Sequence, residues 1–419
     1  MLSTLLFLAG LGCAPRSPGE SSALLDTGGT SSGLPVRWVP TAGESWEDAL
    51  DGLWWSLAGL GAHPQAAALA DIEHDATGVR FTLQLDHLGL EEEAQGALEE
   101  GLAPLHRSRV ELGLPYVELG RMLQRTLYEP WVYYAVTGAC SDLDAWSVRL
   151  PDTAPAVAIT ESMLTDGDRL LRFMPEPTSA AGVAWAADEG DGSLTAGTFR
   201  SRATEVLDVM PNGRFRYAVY DASGALTPAV DAEHSPAGQP GRCMWCHENH
   251  LMTTVVQPEV DGHLGFEDFA DEVAAQQGLT ESLRDDVGGL VDWDTHAVHT
   301  WGEVLVEGFL QAPTARLAAE WSVEPGRVEA WMQESGVSPV ESDEYPEWGT
   351  VWARGDADAV FAEHRAELPA GHPLAGSGGT APLAVLPSAR ELPDPAAAYF
   401  VPRVDHACAP TGARAGTPE

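Results

Sequence analysis

Lysine is absent from this chain. Its 419 residues include 23 basic side chains against 63 acidic ones, and every one of the 23 is arginine. A chain without a side-chain primary amine cannot run lysine Schiff-base chemistry, and it cannot carry the lysine of a phosphate-binding loop. Positive charge is scarce as well, and the formal net charge of −40 repels phosphate backbones and anionic lipid surfaces. Nucleic acid is therefore excluded as a partner, as is docking to a membrane by charge. Outside the amino terminus no apolar run approaches the ~18 residues that a spanning helix needs. Nucleophile-elbow, dinucleotide-loop and EF-hand patterns are also missing. His247 and His250 lie three apart, so the HExxH spacing of zinc proteases fails. What the chain does have is apolar mass: 44% hydrophobic residues and 14 tryptophans, enough for a large core.

Residues 1–13 read MLSTLLFLAGLGC. This apolar run is too short to cross a bilayer and suits the core of an export signal. Its small residues before Cys13 resemble the lipobox of bacterial lipoproteins, which implies acylation of Cys13 after cleavage. Residues 14–35 are rich in serine, glycine and proline without periodicity and read as a disordered tether. Residues 36–370 form the globular region, of one or two domains, and 371–419 a Pro/Gly/Ala-rich tail.

Within the globular region, Ser45 and Asp48 form a capping-box pattern, followed by Trp46, Leu50, Leu53, Trp54 and Leu57 at helical spacing. Leu90, Ala94, Ala97, Leu98 and Leu102 predict a second helix; Leu119, Met122, Leu123 and Leu127 predict a third. Residues 78–86 and 214–226 alternate like strands. Beyond residue 260 the pattern is helical again, with Thr300 and Glu303 as a second capping box. A β-containing middle flanked by helical regions predicts an α+β fold, not a simple all-α cytochrome c domain.

Residues 243–247 read CMWCH. C-x-x-C-H is the attachment sequence of c-type haem: Cys243 and Cys246 can form thioethers to both vinyl groups of one porphyrin, and His247 can ligate the iron. Haem c is thus the expected cofactor, with His250, Met252, His296, His299 or the upstream Met210 as candidate distal ligands, or an open distal position. Met332 lies far downstream. Zinc is the alternative: Cys243 and Cys246 have zinc-ligand spacing, His250 can supply a third ligand, and His296, His299 or His263 a fourth. The preceding residues 235–242 read as loop, so no helix is expected to lead into the motif. His299 and Glu303 would share a face if their helix starts early, although Glu303 also serves as capping partner of Thr300.

The stretches VMPNGRFRYAVYDASGAL and AGQPGRCMWCHENH, with ELGRMLQRTLYEPWVYYAVTG and HTWGEVLVEGF, resemble a group of large, uncharacterised exported bacterial lipoproteins carrying a single such motif. The resemblance covers about residues 45–350. It implies export and haem binding, and supplies no activity or substrate. In an exported protein the two remaining cysteines, Cys140 and Cys408, most simply form a disulfide that pins the tail, the alternative being two thiols. The expectation is a cell-envelope protein, on the periplasmic or surface side, attached to the membrane through a lipid anchor only. It would act in electron transfer or a haem-dependent redox reaction, with a redox partner that docks through a basic or apolar face. The alternative is a non-redox envelope binding protein with a Cys/His metal site.

Overall fold

The computed structural model describes residues 33–374, apart from 42–43, 76–77, 112–114, 163–166, 230–239, 248–249, 252–254, 259, 292–296, 341–344 and 373. The side chains of Ser108, Glu111, Ser162, Cys246 and residues 297–300 are likewise outside the description. The signal, Cys13, tether residues 14–32 and the tail beyond Leu374, with Cys408, therefore lie outside the described residues; residues 33–35, expected to end the tether, instead begin the first strand, Gly33–Trp38.

The chain begins β1 (Gly33–Trp38), α1 (Trp46–Ala58), β2 (Leu69–Asp75), β3 (Gly78–Gln84), α2 (Glu92–Glu111), β4 (Val117–Glu118), α3 (Leu119–Leu127), α4 (Pro130–Thr137) and α5 (Leu143–Ser147). The middle is mostly strand: β5 (Ala156–Ile159), β6 (Glu161–Ser162), β7 (Arg169–Phe173), β8 (Ala184–Asp191), β9 (Arg200–Val209) and β10 (Phe215–Asp221), with one 3-10 turn at Ala180–Gly182. Then follow α6 (Pro240–His247), β11 (Val255–Val256), α7 (Phe266–Val287), α8 (Ala297–Leu310), β12 (Gln311–Pro313), α9 (Thr314–Trp321), α10 (Pro325–Glu334), β13 (Val351–Ala353) and α11 (Arg354–His364). The fold is α+β, with its larger sheet in the middle.

Two sheets organise the larger core. The first has order β2-β3-β1-β4, with β1 antiparallel to β3 and parallel to β4. Its β3 buries Val79, Phe81 and Leu83 at alternate positions, as the period-two pattern predicts. The second sheet is antiparallel throughout, in the order β10-β9-β8-β7-β5. Its edge strand β10 is buried on both faces. Arg216 there reaches Asp208 at 2.9 Å and the Thr137 and Gly138 carbonyls at 2.9 Å each, so this arginine, on the face away from Phe215 and Tyr217, is buried in an ion pair rather than left in solvent. A covered edge cannot recruit another strand.

α1 begins where the capping box places it: the Ser45 side chain accepts from the Asp48 amide and Asp48 accepts from the Ser45 amide. It packs on α8 at close range. A Cβ on Gly52 would sit 2.6 Å from the Trp301 carbonyl carbon, so glycine is required there. α8 itself starts at Ala297, three residues before the expected cap. Thr300 falls inside the helix, because packing of α8 between α1 and α3 overrides the local signal. A smaller cluster, built on Leu317, Trp321, Val328, Trp331, Met332 and Phe361, gathers α9, α10 and α11. Among the described residues, no helix is long and apolar enough to cross a membrane.

Candidate functional site

The C-x-x-C-H motif lies in a helix, contrary to the loop that the preceding Pro/Gly residues suggest. Pro240 opens α6, where its fixed φ suits the first turn and its missing N–H costs nothing. Gly241 lets the helix approach the end of α3, since a Cβ there would stand 2.5 Å from the Leu127 carbonyl oxygen. The helical period then divides the motif between two faces. Met244 and Trp245 turn into the core, Met244 against Gly59 at the end of α1 and Trp245 stacked on Trp55 at 4.9 Å. Cys243 and His247, four apart and so on one face, line a pocket against the larger sheet.

Strand register builds the floor of that pocket. In-register antiparallel partners share a sheet face. Phe173, Trp185, Leu207 and Tyr217 are successive partners across β7, β8, β9 and β10, and Leu171, Ala187 and Glu205 form the neighbouring row. α7 supplies the opposite wall through Phe269 and Val273. Trp185 is fixed by stacking on Phe173 at 4.4 Å and by donating from Nε1 to Gln276 Oε1 at 2.8 Å. The pocket has about 620 Å³ of empty space counting its open mouth. Its wall is apolar apart from Cys243, Glu205 and His247.

His247 ends α6 half-buried, with its ring 5.7 Å from that of Tyr217. Nδ1 lies 3.2 Å from the carbonyl oxygen of His250. A carbonyl only accepts, so this bond places the proton on Nδ1 and leaves the Nε2 lone pair for a metal. Burial lowers the imidazole below its ordinary value, only partly opposed by the bond to His250, which keeps the ring neutral and able to ligate. Cys243 is buried, with 6% of its surface exposed.

Behind the motif stands a buried aromatic column. The Tyr128 hydroxyl accepts from Trp245 Nε1 and donates to Glu307 at 3.2 Å. The Arg214 guanidinium lies 4.1 Å from the Trp55 ring centre, and burial pushes it down to about 9. These contacts lock α6 against rotation, which fixes the face that Cys243 and His247 present.

The other candidates are dispersed. His250 follows α6, its Nδ1 3.1 Å from Gln277 Nε2 on α7. His299 lies within α8, four residues before Glu303 on the same helix, and Met252, His296 and the side chain of His299 are outside the described residues. His263 sits in an exposed turn beside the Asp261 carbonyl. Met210 packs near Gly61 and Met332 belongs to the smaller helical cluster; neither lines the pocket. Cys140 is buried with 1% exposure just after α4, and its expected partner Cys408 is outside the described residues. Among the described residues, the one trio able to hold a metal is Glu334, His364 and Glu367, apart from the motif. The sequence reading found the motif but not its floor: strand register sets Trp185, Leu207 and Glu205 on one sheet face, and they line one pocket with Cys243 on α6. Comparison with protein families, curated proteins and solved structures finds no match to this chain.

Proposed function

We propose that this chain is a cell-envelope c-type haem protein, with Cys243 and Cys246 as the thioether attachment points and His247 as the proximal iron ligand. One observation carries the reading. Cys243 and His247 project from one face of α6 into an apolar, aromatic-walled pocket, and the His250 carbonyl engages Nδ1 so that Nε2 is the ligand atom. An apolar, aromatic wall favours a large apolar macrocycle over a small hydrated ion. Bound there, haem supplies one-electron chemistry. The protein's own part is positional: Tyr217 restrains the imidazole, Trp185 and Phe269 wall off solvent, and the Trp55–Trp245 stack holds the helix. His250, Met252, His296 and His299 are the candidates for the second axial position. Its presence makes an electron carrier and its absence leaves room for a substrate.

The setting follows from the rest of the chain. Export and acylation at Cys13 would attach the protein to a membrane through lipid alone. A Cys140–Cys408 disulfide would tie the tail to the core. The charge of −40 calls for a redox partner with a basic or apolar docking face. The test is to express the full chain alongside cytochrome c maturation machinery and stain a denaturing gel for haem. The wild type should retain haem through denaturation, and the Cys243→Ala/Cys246→Ala variant should retain none. A colourless wild type holding one equivalent of zinc would establish the metal-site alternative instead.

A further inference from the structure

A second pocket lies away from the motif, where α2, α3 and β1 meet α9 and α11. Its charges are settled internally: Glu320 pairs with Arg316 and Arg354, and Glu118 with Arg316. A different balance holds at the end of α10. There Glu334 and Ser335 meet His364, the last residue of α11, and Glu367 in the turn that follows. A carboxylate oxygen of Glu334, one of Glu367 and a ring nitrogen of His364 lie within 4.8 Å of one another.

The His364 ring is held in place from two sides. It is buried and stacks on Trp331 at 5.3 Å with 12° between the planes. The Ser335 hydroxyl donates its one proton to Glu363 at 3.0 Å. Towards His364 Nε2, 3.1 Å away, it can then only accept, which puts a proton on Nε2 and leaves the lone pair of the neutral ring on Nδ1. Nδ1 stands 2.8 Å from Glu367 Oε1. Two acceptors that close repel unless a cation joins them, either a proton or a metal ion. The other Glu367 oxygen is committed, to Arg327 at 2.6 Å and to Trp331 Nε1 at 3.2 Å. A partner on the far ring nitrogen, as Ser335 supplies, is the usual support of a metal-bound imidazole.

The donor set and the charge name the class of ion. In a tetrahedral shell with ligands at ~2.1 Å, ligand atoms stand about 3.4 Å apart. Nδ1 and Oε1 are therefore already within the span of one shell edge, and Glu334 has only to close in. Its carboxylate is exposed and has no hydrogen-bond or ion-pair partner among the described residues. Glu334, Glu363 and Glu367 together outnumber the neighbouring cation, Arg327, so a divalent ion is welcome there. One imidazole with two carboxylates suits zinc-like ions, whereas calcium collects oxygen ligands alone.

We propose that Glu334, His364 and Glu367 bind a divalent transition-metal ion of the zinc class, with water completing its shell. The ion would tie the end of α10 to the turn after α11 and so clasp the smaller helical cluster. The site is independent of the motif and stands whether or not haem is attached.

The test is calorimetric titration of the purified full chain with zinc chloride, followed by thermal unfolding with and without the ion. The wild type should bind one equivalent here and unfold at a higher temperature with zinc present, since an ion that binds the folded chain stabilises it. Glu334→Gln, at an exposed position, and His364→Gln should each weaken that equivalent by at least about tenfold, the smallest loss seen even for an outer partner. Unchanged circular dichroism shows that the fold is kept. Zinc held by the motif would persist in both variants, so the two sites are read apart. Excess calcium should leave the titration unchanged. The proposal is overturned if the wild type takes up no zinc, if every equivalent persists in folded Glu334→Gln, or if calcium displaces the ion.

Discussion

The two pockets solve opposite problems with the same restricted set of side chains. At the motif, a thiol and a neutral imidazole sit in an apolar wall, and a single backbone carbonyl sets the polarity of the ring. At the second pocket, guanidiniums and carboxylates are buried side by side and satisfied by each other. The first is held by ring stacking and strand register, the second by charge. A chain without lysine makes the contrast sharp, since every buried cation is a planar fork able to take two oxygens at once. It follows that the two pockets should respond differently to the loss of a single group.

The charged pocket should be the more sensitive. Burial works to raise Glu320, yet Arg354 and Arg316 hold its carboxyl at about 2. Glu320→Ala would leave both guanidiniums buried without that counter-charge, and should destabilise the protein by about 3–5 kcal/mol in denaturant unfolding. If the loss is below about 1 kcal/mol, the range of an exposed pair, the network is solvent-screened and the contrast between the pockets fails.

The apolar floor should yield next. Leu207 lies between Trp185 and Tyr217 in the cross-strand row and is buried. Leu207→Ala should cost about 2–5 kcal/mol through lost burial and the cavity left behind, and should also lower the haem retained per folded chain. Glu320→Ala should leave that yield per folded chain unchanged, so the pair of variants separates the two sites. The smallest effect belongs outside both. Ser45→Ala removes the α1 capping bond and should cost about 1 kcal/mol in the same unfolding measurement, with haem retention as in the wild type.

These contrasts also mark how much was legible in the sequence. The capping box at Ser45, the helix stripe at Leu119, Met122, Leu123 and Leu127, and the alternation through Val79, Phe81 and Leu83 are local signals, and each appears where its period places it. The helix carrying Cys243 was hidden, because Pro240 and Gly241 read as loop residues when they are in fact a helix start and a close contact. The Thr300 signal misplaced the start of α8, which is set by packing on α1 and α3. Both pockets were invisible in a further sense. Glu205 on β9 and His247 on α6 line one pocket only through tertiary packing, and Arg37 and Arg365, more than 300 positions apart in the chain, line another. No local pattern encodes contacts of that range.

The most direct measurement again uses the missing lysine. Trypsin cleaves this chain only after arginine, so digestion after Arg242 and Arg284 isolates residues 243–284 with the whole motif. The digest is made from protein matured in a host that attaches c-type haem, alkylated first, and read by mass spectrometry. The account predicts that this peptide carries the mass of one haem, with Cys243 and Cys246 both closed to alkylation. A peptide without added mass, with both thiols alkylated, would contradict it.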